Sequence, residues 1–218
     1  MKQKLDLSLY LVTDNHIAEG YTFLEVIEEG VRGGVTVVQL REKEASSKEF
    51  YERAVAVKEL LDKYHIPLII NDRLDIALAV DAAGLHIGQD DVPYEVARGL
   101  LGPDKYIGLS VENKTDTIQA NALDIDYIGI SPVFSTPTKT DTAPALGLEG
   151  AQLINSLSKH PSVGIGGIQA DNAADIIRTG ASGISVVSAI MLAKEPQKAA
   201  QELKQIVLNA KYHGEENV

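Results

Sequence analysis

The sequence contains no cysteine. That excludes a disulfide framework and thiolate metal sites, and it is compatible with a reducing cytosol. No run approaches ~18 consecutive apolar residues, so a membrane-spanning helix is excluded. The opening stretch MKQKLDLSLYLVTD is too short in apolar residues and too acidic for a signal peptide. We therefore expect a cytoplasmic protein. There is no basic surplus either. The formal net charge of −11 argues against broad contact with nucleic acid, which needs a basic face. It does not argue against a small anionic ligand, which needs only a local cluster of cations, a metal or backbone N–H groups. No low-complexity stretch or Gly/Ser/Pro-rich linker divides the chain. Its 218 residues, 44% hydrophobic and 23% charged, read as one domain over 1–218 with a frayed tail at about 211–218. A homo-oligomer is compatible with all of this.

What the chain does contain is alternation. Eight short β-branched runs read as strands at 7–14, 35–42, 67–73, 84–89, 106–111, 127–134, 162–168 and 183–188. Each is nearly continuous in apolar residues, as a strand buried on both faces should be. Amphipathic stretches lie between them at 22–32, 46–65, 94–101, 115–123, 149–159, 171–179 and 196–210, with a short one at 73–81. The clearest puts Phe50, Ala54, Val57, Leu60 and Leu61 on one stripe. Glycines at Gly33-Gly34, Gly84 and Gly180 mark helix-to-strand joints, where a left-handed residue ends a helix. Eight β/α units imply a parallel sheet, and eight strands close a barrel. The expected fold is α/β, a single (β/α)8 TIM barrel; a doubly wound open sheet is the alternative.

The active site of such a barrel lies at the C-terminal ends of its strands, and the residues there are consistently polar. After strand 2, alternation puts Gln39, Arg41 and Lys43 on one face and Leu40 and Glu42 on the other. An amide, a forked guanidinium and a mobile ammonium suit a diphosphate; a solvated strand end is the bland alternative. Asn71 and Asp72 follow strand 3, and Gln89-Asp90-Asp91 follows strand 4. Carboxylates from neighbouring strand ends can hold one hard cation, so Asp72 and Asp91 are metal candidates for Mg2+. Asp90 reads as an N-cap or turn residue. His86, within strand 4, reads as a hydrogen-bonded core residue rather than a catalyst. Ser110 alone is weak evidence. The loop after strand 6 carries Thr136, Thr138 and Lys139 between prolines, which reads as a lid that is mobile when empty and closes over an anion. Gly166-Gly167 after strand 7, with Val187 and Ser188 after strand 8, occupy the place where barrels often build a phosphate site.

In this order the motifs resemble the thiamine phosphate synthase family. The likeness runs from Tyr10-Leu-Val-Thr-Asp14 through Gln39–Lys43, Ile69–Asp72, His86–Asp91, Pro132–Lys139 and Gly164–Ile168 to Val187–Ile190. The resemblance implies a transferase. It would join 4-amino-5-hydroxymethyl-2-methylpyrimidine diphosphate to 4-methyl-5-hydroxyethylthiazole phosphate with Mg2+, releasing thiamine phosphate and pyrophosphate. It implies that Gln39, Arg41, Lys43, Asn71 and Lys139 hold the pyrimidine diphosphate and that Asp72 and Asp91 hold Mg2+. Ser110 would lie beside the reacting pyrimidine. Thr136, Thr138, Gly167, Val187 and Ser188 would receive the thiazole phosphate, the last three largely through backbone. Arg41, Lys43 and Lys139 would act catalytically by stabilising charge on departing pyrophosphate.

One position departs from the family pattern. Ser110-Val111-Glu112 stands where the family often reads Ser-x-His. A sister family of similar fold isomerises a thiazole carboxylate phosphate with a histidine near this place, and Glu112 speaks against that activity. A non-catalytic phosphate binder on the same barrel is a third reading, but such a protein should have lost some of the metal and diphosphate ligands.

Overall fold

The computed structural model describes residues 2–135 and 144–215. Eight parallel strands close in chain order into a barrel, β8 pairing back onto β1. They are β1 (Leu9–Val12), β2 (Val37–Leu40), β3 (Leu68–Asn71), β4 (Gly84–Ile87), β5 (Tyr106–Val111), β6 (Tyr127–Ile130), β7 (Ser162–Ile165) and β8 (Gly183–Val186). The helices between and after them are α1 (Phe23–Arg32), α2 (Ser47–Asp62), α3 (Leu74–Ala79), α4 (Tyr94–Leu101), α5 (Lys114–Ala120), α6 (Gly147–Leu157), α7 (Ala173–Arg178), α8 (Ser188–Met191) and α9 (Pro196–Glu215). No helix among the described residues is long and apolar enough to cross a membrane.

The continuous apolar runs conceal a division between two cores. Leu9, Leu11, Val38, Leu40, Ile70 and Leu85 face outward, onto the helices. Tyr10, Val12, Val37, Ile69, Tyr127 and Val163 fill the barrel interior. A strand with one face toward each core is apolar along most of its length, and most of its polar residues gather where it reaches the mouth. The stripe Phe50, Ala54, Val57, Leu60 and Leu61 is the buried face of α2. Capping boxes start both early helices, Thr22 with Glu25 for α1 and Ser46 with Glu49 for α2, each satisfying orphan N–H groups.

Several expectations are corrected. Most strands are shorter than their apolar runs because the polar ends leave the ladder: β2 stops at Leu40, so Arg41 and Lys43 stand in the following loop. The stretch read as strand 8, 183–188, ends on Ser188, where the helical turn α8 begins. Its four residues are too few for a periodic signal. Gly34 and Gly180 do have positive φ, 108° and 97°, but at the third joint the left-handed residue is Asp81. Gly84 is needed there for another reason: a Cβ would stand 2.8 Å from that of Tyr106. The helix α9 runs to Glu215, the last described residue.

Candidate active site

A cavity of about 320 Å³ opens at the C-terminal ends of the strands. Of the residues singled out by sequence, it gathers Gln39, Arg41, Lys43, Asn71, Asp72, Asp91 and Ser110. Asp90 and His86 line it as well. Gly167, Val187 and Ser188 sit at the same end of the barrel but outside this lining. Thr136, Thr138 and Lys139, and most of the proposed lid, lie outside the described residues.

The diphosphate candidates differ in how they are held. The backbone N–H of Arg41 donates to Thr13 Oγ1 at 3.1 Å, which fixes the turn out of β2. Its guanidinium makes no hydrogen bond among the described residues and remains available to an anion. Glu42 points the other way, as alternation requires. Its side chain, 1% exposed, pairs with Arg53 of α2 and accepts from Asn15. That pair, buried on the Glu42 side, anchors the β2 loop. Arg53→Met should strand the Glu42 carboxylate and cost about 2–4 kcal/mol. The check is a lower melting temperature with kcat of the folded fraction near wild type; unchanged stability would show that the pair anchors nothing.

Asp72 begins the loop after β3 with φ 61°, a left-handed conformation that Asp tolerates better than most residues. Its N–H donates to the His86 carbonyl at 2.9 Å, and its carboxylate meets Lys43 Nζ at 2.6 Å. Asp91 belongs to the turn after β4 and accepts the Gly88 N–H at 2.6 Å. Burial, and then the neighbouring Asp72 carboxylate, push the Asp91 carboxyl above its usual range, while Gly88 and Lys43 oppose the rise. Two carboxylates that disfavour each other's charge gain most from a cation placed between them. Asp90 is a turn residue, as expected, and Pro93 takes the N-cap of α4.

The arrangement at Glu112 is now explicit. Asn113 caps α5 by accepting the Asp116 N–H, and Asp116 accepts from the Glu112 N–H and Asn113 Nδ2. The helix start is thus complete without the Glu112 side chain, which lines the cavity.

Beyond β7, Gly166 and Gly167 both adopt left-handed φ, 103° and 62°. A Cβ at Gly167 would come within 2.8 Å of the Ser135 carbonyl oxygen. The β7 and β8 loops touch through Gln169 Nε2 and Ser188 Oγ at 3.4 Å.

Sequence reasoning missed the floor of the cavity. Gln39 Nε2 donates to Tyr10 Oη at 2.9 Å, and the Tyr10 and Tyr127 hydroxyls are 2.6 Å apart. Tyr127 Oη and Ser110 Oγ flank His86, at 3.1 Å from Nδ1 and 2.9 Å from Nε2. His86 is therefore hydrogen-bonded, as expected of it. Both phenols are buried, which holds their pKa values well above the ordinary range and keeps them neutral. The available signal was a pair of tyrosines at inward positions of otherwise aliphatic strands.

The model of the thiamine monophosphate synthase family matches residues 9–190. A thiamine-phosphate synthase of Syntrophomonas wolfei is 52% identical over 201 residues, covering 92% of this chain and 96% of that protein. One from Albidiferax ferrireducens is 48% identical, covering 92% of each. Among solved structures, a thiamine phosphate pyrophosphorylase from Pyrococcus furiosus superposes with a TM-score of 0.85 at 37% identity, over 95% of this chain and 98% of that one. With the barrel, its mouth and these relatives in agreement, the chain belongs to the thiamine monophosphate synthase family.

Proposed function

We propose that this mouth joins 4-amino-5-hydroxymethyl-2-methylpyrimidine diphosphate to 4-methyl-5-hydroxyethylthiazole phosphate, giving thiamine phosphate and pyrophosphate. The observation that carries the reading is the convergence of Arg41, Lys43, Asp72 and Asp91 on one cavity, in a chain of otherwise acidic character.

Asp72 and Asp91 would hold Mg2+. Their donors are hard oxygens and they lie on adjacent strand ends, with Asp91 partly buried beside the Asp72 carboxylate. Among the described residues no cluster of three or more His, Asp or Glu side chains could hold a metal. Mg2+ is commonly held by one or two carboxylates, with water and phosphate oxygens completing its shell. When bound, the ion would supply positive charge to the departing pyrophosphate.

The chain's own residues do the rest. The Arg41 guanidinium, unpaired among the described residues, forks onto diphosphate oxygens, and Lys43, on its flexible stem, follows the charge as it builds. The bond between the pyrimidine methylene and the diphosphate oxygen breaks, and its electron pair leaves with pyrophosphate. The thiazole nitrogen lone pair then forms the new carbon–nitrogen bond. Gln39, Asn71 and Ser110 hold the pyrimidine. No protein nucleophile is needed, and the cavity lining offers no cysteine. Lys139, Thr136 and Thr138 are assigned by family resemblance, Lys139 to the diphosphate and the threonines to the thiazole phosphate. Gly167, Val187 and Ser188 are assigned to the thiazole phosphate.

Two anion sites can be separated by substitution. Gly167→Val forces a β-branched residue into a left-handed backbone with its Cβ within 2.8 Å of the Ser135 carbonyl oxygen, which displaces the loop whose N–H groups would approach a phosphate. The expected result is a raised KM for thiazole phosphate and a nearly unchanged KM for the pyrimidine diphosphate, with circular dichroism checking the fold. The opposite pattern would reverse the assignment. The reaction itself is tested by mass detection of condensed product from the two substrates; its absence from folded, metal-supplied protein would refute the reading.

A further inference from the structure

The floor network runs through five strands in one unbroken line: Gln39, Tyr10, Tyr127, His86, Ser110. Each hydroxyl in it has one hydrogen to give, and where no buried hydrogen is left unpaired the direction at one end sets the direction at the other. Gln39 donates to Tyr10, and among the described residues Tyr127 Oη is the acceptor within reach of the buried Tyr10 hydrogen, so the arrangement that leaves no buried hydrogen unpaired has Tyr10 donating to Tyr127 and Tyr127 donating to His86 Nδ1. The ring hydrogen must then sit on Nε2, donated to Ser110 Oγ, and the Ser110 hydrogen is left to point into the cavity. At the other end the Gln39 carbonyl oxygen is left to accept. Turning the Gln39 amide over would reverse every bond and both ends together.

The backbone makes room for this line. A Cβ at Gly108 would overlap the Tyr127 ring and hydroxyl and stand 2.6 Å from His86 Nδ1. One at Gly129 would stand 3.2 Å from His86 Cε1. Strand interiors favour branched side chains, so these two glycines mark places where the polar contact takes precedence over strand packing.

We propose that Tyr10, Tyr127 and His86 are positioning residues that lock Gln39 as an acceptor and Ser110 as a donor, and so select an amino-substituted heteroaromatic ring over its oxo counterpart. An exocyclic amine donates and an unprotonated ring nitrogen accepts, which complements this pattern. An oxo group with a protonated ring nitrogen presents the reverse, and it leaves buried polar groups facing like partners. The ligand class rests on the function proposed above; the hydrogen-bond direction does not.

The test reads the two parts separately. In ligand-free protein labelled at the histidine ring nitrogens, with the His86 signal assigned by its loss in His86→Asn, nitrogen NMR should show the Nε2–H tautomer. Tyr127→Phe should abolish that single tautomer, and Tyr10→Phe should weaken the preference without removing the Tyr127 contact. The affinity ratio between the aminopyrimidine diphosphate and its 4-oxo analogue should fall about tenfold in Tyr127→Phe, the scale of one well-placed hydrogen bond. The KM for thiazole phosphate should stay unchanged. A wild-type Nδ1–H tautomer, or one tautomer and one affinity ratio common to wild type and Tyr127→Phe, would overturn the proposal. If neither pyrimidine binds wild-type protein while the tautomer result holds, the ligand class fails and with it the proposed reaction, and the directed network stands.

Discussion

Stripping divalent cation from the protein should stop turnover, with a loss of at least about 10³-fold that added Mg2+ restores. The scale follows from what a metal contributes to developing phosphate charge, several kcal/mol at about 1.4 kcal/mol per factor of ten. Asp72→Asn and Asp91→Asn should each reproduce much of the loss, weakening use of the pyrimidine diphosphate more than binding of thiazole phosphate. Both substitutions test charge and spare the fold. Asn tolerates the left-handed conformation of Asp72, and it can accept the Gly88 N–H as Asp91 does. Asp91→Asn carries a second, opposite signature. The Asp91 pKa is raised on folding, so its carboxyl costs the metal-free protein stability as pH rises from the unfolded value to the raised folded one. At neutral pH metal-free Asp91→Asn should therefore melt no lower than wild type while losing activity. Full turnover in excess chelator, after metal removal, would sink the assignment.

Arg41→Ala should lower kcat/KM for the pyrimidine diphosphate by about 10²–10³-fold, by analogy with lost transition-state donors. The Arg41 guanidinium has no hydrogen-bond partner to lose among the described residues, so the melting temperature should hardly move, in contrast to Arg53→Met in α2, whose partner is the buried Glu42. Arg41→Lys should recover little, because a point charge does not reproduce two parallel hydrogen bonds. Titration with the pyrimidine diphosphate beside single-turnover kinetics separates affinity from chemistry. An unchanged chemical step with weakened binding would make Arg41 a binding residue only, and an unchanged kcat/KM would remove it from the site.

The barrel was legible because its strands are buried on both sides and its helices are amphipathic; those two periodicities differ enough to be told apart. The diphosphate end was legible because polar residues break the apolar runs at the point where β2, β3 and β4 reach the mouth. Strand ends were overextended for the same reason: Arg41 and Lys43 continue the alternation of β2 without continuing its hydrogen bonds. The α8 turn was illegible in four residues, and so was the tyrosine pair. Tyr10 and Tyr127 count as apolar in any periodicity, and only the folded barrel shows that their hydroxyls meet at 2.6 Å. Gly108 and Gly129 carried that information obliquely, as small residues in strands that had no turn to make.

The central claim is that one mouth expels pyrophosphate and receives the thiazole phosphate. Measuring pyrophosphate and thiamine phosphate together, in one reaction with both substrates and Mg2+, tests it most directly. The account predicts equal amounts of the two products, and neither in quantity when thiazole phosphate is omitted. Pyrophosphate released at full rate without thiazole phosphate, or no pyrophosphate with both substrates present, would contradict it.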